Sequence, residues 1–178
     1  MEGWVAEPPA VDEKAASRAV RLRPAGPQDE PLLHGLFAED KAAQLTAAGM
    51  AEALVHGLIE MQYRGRAMSY AVLYPQAQDL ILLGADGAPA GRLLLDRNRE
   101  RWRIVDLAVG AAQRGQGMGT QVLRLCQQQA AAVGARLELQ VAAGNPARRL
   151  YVRLGFQVCG GDDVTVEMSW YGSEPGDA

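Results

Sequence analysis

The chain of 178 residues carries 18 basic and 21 acidic side chains, a formal net charge of −3. That length suits one domain with a core able to fold alone, and the near-balanced charge, without a run of one sign, offers no nucleic-acid surface. No apolar stretch approaches the length of a membrane span, and two cysteines, Cys126 and Cys159, make neither a disulfide scaffold nor a metal site. The expectation is a metal-free protein of a reduced cytoplasm, since residues 1–10 lack the basic and apolar regions of a secretory signal.

Residues 1–19 mix proline, alanine and charge without period and read as a disordered N-terminal extension; residues 172–178 read as a frayed tail, leaving 20–171 as the domain. A first strand at 20–23 stops at Pro24, and a helix over 28–40 follows from the spacing of Leu32, Leu33, Leu36 and Phe37. After a polar, alanine-rich connection, Leu54, Val55, Leu58, Ile59 and Met61 predict a second helix over 51–63, continuing with a break or kink near Gly65 towards Pro75. Leucine-rich strands at 80–83 and 92–95 flank Asp86-Gly87, a hairpin turn, and 97–100 turn the chain into a strand at 102–109. Then come a glycine-rich turn, a helix to Val133, a strand at 136–142, a short helix opened by Asn145-Pro146 and stopped at Gly155, and a final strand pair at 156–159 and 164–170. The order βααβββαβαββ implies an α+β fold whose central sheet is mixed, mostly antiparallel, with helices on both faces.

The chemistry concentrates at Arg114-Gly115-Gln116-Gly117-Met118-Gly119-Thr120. Alternate residues without Cβ, at the start of a helix, let successive backbone N–H groups point into one concavity backed by the positive end of the helix dipole. This is a cradle for an anion, above all a phosphate. No lysine follows, which excludes the P-loop, and Thr120 stands where a dinucleotide fingerprint places its third glycine.

Arg114-x-x-Gly117-x-Gly119 after Leu107-Ala108-Val109 resembles the pyrophosphate loop of the GNAT N-acetyltransferase superfamily, and Asn145-Pro146-Ala147-Arg148-Arg149-Leu150-Tyr151-x-x-Leu154-Gly155-Phe156 is similar to that superfamily's closing motif. The resemblance spans roughly residues 20 to 170. It implies acetyl-CoA as cosubstrate and transfer of its acetyl group to a primary amine of a small molecule or peptide. Residues 115–120 would hold the pyrophosphate, with Arg114 adding charge, and the main chain of Leu107, Ala108 and Val109 would pair with pantetheine where their strand splays from its neighbour. Leu107 is the candidate N–H for polarising the thioester carbonyl, Asn145 would contact the cofactor, and Tyr151 would protonate the departing thiolate. In many members a glutamate five residues before the asparagine is the general base, a position held here by Gln140, which takes no proton at neutral pH. Asp106, Glu138 and Glu100 are nearby carboxylates outside the motif. The acceptor would be lined by residues 39–50 and by the last hairpin, where Asp40, Asp162 and Asp163 offer negative charge. A homodimer is left open; His34 and His56 read as surface or packing residues. The competing readings are a CoA-binding regulator that has lost catalysis, and a dinucleotide-binding domain.

Overall fold

The computed structural model describes residues 20–172. The proposed N-terminal extension and almost all of the proposed tail lie outside the described residues, as does the side chain of Asp40. Strand β1 (Arg21–Pro24) leads through a single 3-10 turn into helices α1 (Glu30–Ala47) and α2 (Glu52–Leu73). Strands β2 (Gln78–Leu83), β3 (Pro89–Arg97) and β4 (Arg101–Val109) form a meander, followed by α3 (Met118–Ala132), β5 (Arg136–Ala142), α4 (Arg148–Arg153), β6 (Gln157–Gly161) and β7 (Thr165–Trp170). The seven strands make one sheet in the order β1-β2-β3-β4-β5-β7-β6. Only β4 and β5 run parallel, as a connection through a helix requires, and every other pair is antiparallel.

Both faces of the sheet are covered. Ile81 and Leu82 are adjacent and fully buried because strand side chains alternate. Ile81 packs with Leu33, Phe37, Val55, Ile59 and Tyr63 of α1 and α2. Leu82 packs in the larger cluster with Leu93, Leu95, Val122, Leu123, Leu137 and Met168 beneath α3 and α4. Full burial of each such side chain contributes roughly 1.5–3 kcal/mol.

Two expectations need correction. The helix expected to end at residue 40 runs on to Ala47, because residues 41–47, Lys-Ala-Ala-Gln-Leu-Thr-Ala, are mostly strong helix formers; only residues 48–51 connect it to α2. Helix α2 passes Gly57 and Gly65 and continues to Leu73. The penalty of about 1 kcal/mol per helical glycine is offset by the packing of Val55, Ile59 and Tyr63 on the sheet.

One irregularity positions the site. Between β3 and β4 the register passes from Leu95↔Ile104 to Leu94↔Asp106, so Val105 is an additional residue. The bulge resets the alternation: Trp102 and Ile104 before it, and Leu107 and Val109 after it, all belong to the cluster under α3, while Asp106 pairs with residues on the α2 side.

Candidate active site

Strand β4 ends at Val109, a short 3-10 turn (Ala111–Gln113) follows, and the chain enters α3 through the glycines. Gly115 and Gly117 have φ of +75° and +83°, the left-handed region that side chains resist, and a Cβ at either would meet nothing within 4 Å. The glycines thus serve the turn and leave space open above it. The first α-helical hydrogen bond is from Gln121 N–H to Gly117 C=O, 3.0 Å, so the amides of Met118, Gly119 and Thr120 precede any intrahelical acceptor. Their three N–H groups and the helix dipole fit a phosphate group.

Around this loop lies a cleft of about 380 Å³, lined by Leu107, Val109, Arg114, Gly115, Gly117, Met118, Gly119, Thr120 and Tyr151, together with Gln113, Ala147, Leu150 and Arg153. A second cavity of about 640 Å³ shares Leu107, Val109, Arg114 and Ala147 with the first and adds Gln44, Ala108, Ala142, Gly144, Asn145 and Pro146. The structure thereby brings together residues 107–109, the glycine loop, Asn145 and Tyr151, which are dispersed over some forty positions of sequence. Of the expected set, Gln116 alone lines neither cavity; its Nε2 donates to the Ala112 carbonyl at 2.8 Å.

Strand β4 contributes Leu107 and Val109 to both cavities, and β5 contributes Ala142 to the second. Their register extends only from Arg101↔Arg136 to Ile104↔Leu139, whereas β4 continues to Val109 beside β3 and β5 to Ala142 beside β7. Arg114, expected as a charge for the ligand, donates from Nε to the Val109 carbonyl at 2.8 Å, and its Nη2 lies 3.9 Å from Glu39 of α1. The same Glu39 accepts from the Ala111 N–H, so α1 buttresses the turn into the loop.

Tyr151 is buried on α4, its ring 5.9 Å from that of Phe156 in an edge-on arrangement. Burial, and after it the charge of Asp106, pushes its phenol above the usual tyrosine range, so at neutral pH the hydroxyl is a proton donor. Asn145 Oδ1 accepts from the Ala147 N–H at 2.9 Å, capping the turn that precedes α4.

Two of the three candidate carboxylates, Asp106 and Glu138, have arginine partners, and the third, Glu100, is exposed and lines neither cavity. Asp106 is held by Arg92 at 3.1 Å and by Arg66 of α2 at 3.5 Å, and Arg92 also grips Asp79 at 2.7 Å. Glu138 is ringed by Arg136, Arg101 and Arg103. Gln140 is exposed, its Nε2 donating to Thr165 Oγ1 at 3.1 Å and its Oε1 accepting from Arg103 at 3.4 Å. In the last hairpin, Asp162 caps the backbone N–H groups of Val164 and Thr165, which hold its carboxyl below the usual range. His34 faces Glu60 and stacks edge-on against Tyr63, a packing role. Both cysteines are free, and burial pushes the Cys126 thiol up to about 11.

Gln44 falls within the 39–50 stretch expected to line the acceptor site, whereas sequence reasoning missed Leu150 and Arg153 as lining residues. Gln44 stands on α1 rather than on the connection expected there, and Arg153 is one of several arginines around α4, which only the fold turns towards the glycine loop. Among the described residues no helix is long and apolar enough to cross a membrane.

The end of β4, the glycine loop at the N-terminus of α3 and Tyr151 of α4 thus line one cleft. The model of the acetyltransferase (GNAT) family matches residues 39–156, and the chain belongs to that family. The fold is similar to that of PaiA N-acetyltransferase from Thermoplasma acidophilum, solved in complex with coenzyme A, with 16% identity, a TM-score of 0.66, and coverage of 86% of this chain and 99% of that one. It is similar also to an acetyltransferase from Thermus thermophilus (21% identity, TM-score 0.62, 86% and 97% covered). A third likeness is to a histone acetyltransferase HPA2-related protein from Corynebacterium glutamicum (19% identity, TM-score 0.62, 88% and 98% covered). At these identities the likeness concerns the fold. No curated protein matches the sequence. Membership of the family removes the dinucleotide-binding alternative.

Proposed function

We propose that the protein transfers the acetyl group of acetyl-CoA to a primary amine of a small molecule or peptide. The observation that carries this reading is the convergence of the glycine loop, Leu107, Val109 and Tyr151 on one cleft. Bound acetyl-CoA supplies a thioester, an activated acyl group whose thiolate is a tolerable leaving group. The amides of Met118, Gly119 and Thr120 hold the pyrophosphate, and the open space above Gly115 and Gly117 admits it. The early end of the β4–β5 register supports a reading in which the main chain of residues 107–109 would pair with the pantetheine arm as with an added strand. The Leu107 N–H would be the donor that polarises the thioester carbonyl. Tyr151 gives its phenolic proton to the thiolate, and burial keeps that proton in place until it is needed. Asn145, in the adjoining cavity, contacts the cofactor, and Gln44, from the stretch expected to line the acceptor, stands in the same cavity.

The release of free CoA from acetyl-CoA, measured across a panel of primary amines, tests this reading directly. Amine-dependent release is expected; binding of acetyl-CoA with no release from any amine selects the second reading, a CoA-binding regulator. That second reading is favoured by one observation, Gln140 bound to Thr165 and Arg103 where many relatives place the base.

A further inference from the structure

Asp106 and Leu107 share one peptide unit, in which the C=O of the first and the N–H of the second point in opposite directions. Which way that unit faces follows from the register of β3 and β4. Gly110 N–H donates to the Ala90 carbonyl at 2.9 Å, and Arg92↔Ala108 and Leu94↔Asp106 continue the same register in steps of two, so these are the hydrogen-bonded pairs. Leu93↔Leu107 falls between them, and the Leu107 N–H therefore faces away from β3. It faces the side on which pairing with β5 ends at Ile104↔Leu139, and Leu107 lines both cavities of the site.

The ladder alone restrains this unit weakly. Val105, the additional residue of the bulge, directly precedes it and interrupts the pairing, and among the described residues no strand pairs with β4 on its other side at this point. Side chains supply the missing restraint. Arg92 is fixed by two bonds to Asp79, from Nε at 2.8 Å and Nη2 at 2.7 Å, and its Nη1 reaches Asp106 at 3.1 Å. Arg66 approaches from α2, its Nη1 3.5 Å from the same carboxylate oxygen. Its guanidinium lies 4.4 Å from the ring centroid of Phe37 on α1 and 5.6 Å from that of Tyr70, contacts that set its position. Side-chain exposures of 12% for Arg92, 15% for Asp106 and 25% for Arg66 keep the cluster largely out of water. Buried charges of this kind add little stability over apolar packing, because desolvation offsets their attraction. What they add is a defined geometry, imposed here on the residue joined to the Leu107 amide.

We infer that Arg66 is a positioning residue for acetyl transfer: with Arg92 it holds the Asp106 carboxylate and thereby aims the Leu107 N–H at the thioester carbonyl. This role rests on the proposed reading of Leu107 as the carbonyl's donor. Isotope-edited infrared spectroscopy of acetyl-CoA, labelled at the acetyl carbonyl and bound to the full chain, tests both, because a hydrogen bond to that oxygen lowers its stretching frequency. The wild type is expected to lower it. Arg66→Met keeps a helix-forming stem beside Phe37 and loses the charge, and is expected to return the stretch most of the way to its free value. Arg66→Lys keeps the charge and is expected to retain most of the lowering. Acetyl-CoA affinity is expected to be unchanged in both, since the helix amides proposed to hold the phosphates are untouched. On an active amine, Arg66→Met is expected to lower kcat by roughly tenfold to a hundredfold, the cost of a misaligned donor, with the KM for acetyl-CoA unchanged. Asp29→Asn, which loosens the fold away from the cleft, is expected to leave the stretch as in wild type. No lowering in the wild type removes Leu107 as the donor and the role of Arg66 with it. A lowering that persists in Arg66→Met, or that Asp29→Asn abolishes equally, leaves the proposed transfer intact and overturns the positioning role.

Discussion

The Nε–H of Arg114 reaches the carbonyl oxygen of Val109 across 2.8 Å, tying the glycine loop to the end of the strand that precedes it. One bond thereby fixes the distance between the phosphate cradle and the main chain proposed to pair with pantetheine. Arg114→Gln is expected to weaken acetyl-CoA binding by roughly tenfold or more, since a hydrogen bond from a charged donor contributes about 1.5–3 kcal/mol. Calorimetric titration with acetyl-CoA checks this, and an unchanged affinity would show that the loop holds its position without the tether.

Gly117 combines a φ of +83° with open space at its Cβ position, and the two properties separate by mutation. Asn tolerates the left-handed region far better than Val does. Gly117→Asn is expected to fold with a melting temperature near wild type and to lose acetyl-CoA affinity through occlusion of the cradle. Gly117→Val loses both affinity and stability. A Gly117→Asn protein that binds acetyl-CoA normally argues that the phosphates lie elsewhere.

Tyr151→Phe removes the hydroxyl while keeping the ring against Phe156. Turnover is expected to fall about a hundredfold, the usual size of a general-acid contribution, with acetyl-CoA affinity unchanged. Because the phenol titrates above its ordinary range, wild-type activity is not expected to lose this donor at any pH up to about 10. Equal rates for both proteins on an active amine would make Tyr151 a packing residue.

Most of this site was legible in the sequence because its signals are local. Alternate glycines after an apolar strand and a glycine at a helix stop are short-range chemistry, and β5 occupies 136–142 as expected, whereas the helix expected from Asn145-Pro146 begins only at Arg148, after a turn that Asn145 caps. What the sequence hid depends on partners far along the chain. The bulge at Val105 exists only relative to β3 and reverses which face Asp106 occupies. The cluster of Asp79, Arg92, Asp106 and Arg66 is assembled from neighbouring strands and a helix distant in sequence. Helix α1 ran past its expected end since polar helix formers carry no apolar period to mark the boundary.

Asp29, buried at the start of α1, makes a two-pronged ion pair with Arg23 at 2.6 and 2.7 Å and accepts the Gly26 N–H. These contacts, the Arg23 hydrogen bonds first, bring its carboxyl down to about 2. A carboxylate depressed in the folded state stabilises the fold above its unfolded value of about 4, and that contribution is lost as pH falls from there towards 2. The melting temperature is therefore expected to fall over this window, and Asp29→Asn to start lower at pH 7 with a shallower decline. Parallel curves for the two proteins would exclude Asp29 from the acid transition.

The base remains the chemical question that Gln140 poses. Its amide is bound to Thr165 and Arg103, Glu138 is ringed by three arginines, Asp106 is clasped by Arg92 and Arg66, and Glu100 is exposed and lines neither cavity of the site. A primary amine is mostly ammonium at pH 7, and attack on the thioester needs the free amine. The expectation is that the amine loses its proton to water before it binds, so that the fraction present as free amine governs the rate. Activity is expected to rise with pH towards the pKa of whichever amine is used, and amines of lower pKa are expected to be favoured near neutrality. Asp106→Asn is expected to lower stability by leaving two guanidinium groups without their shared anion, while leaving the shape of the pH profile intact. Profiles of kcat/KM for three amines of different basicity decide the matter: an inflection that stays fixed across the three and vanishes in Asp106→Asn would overturn this account and identify Asp106 as the base.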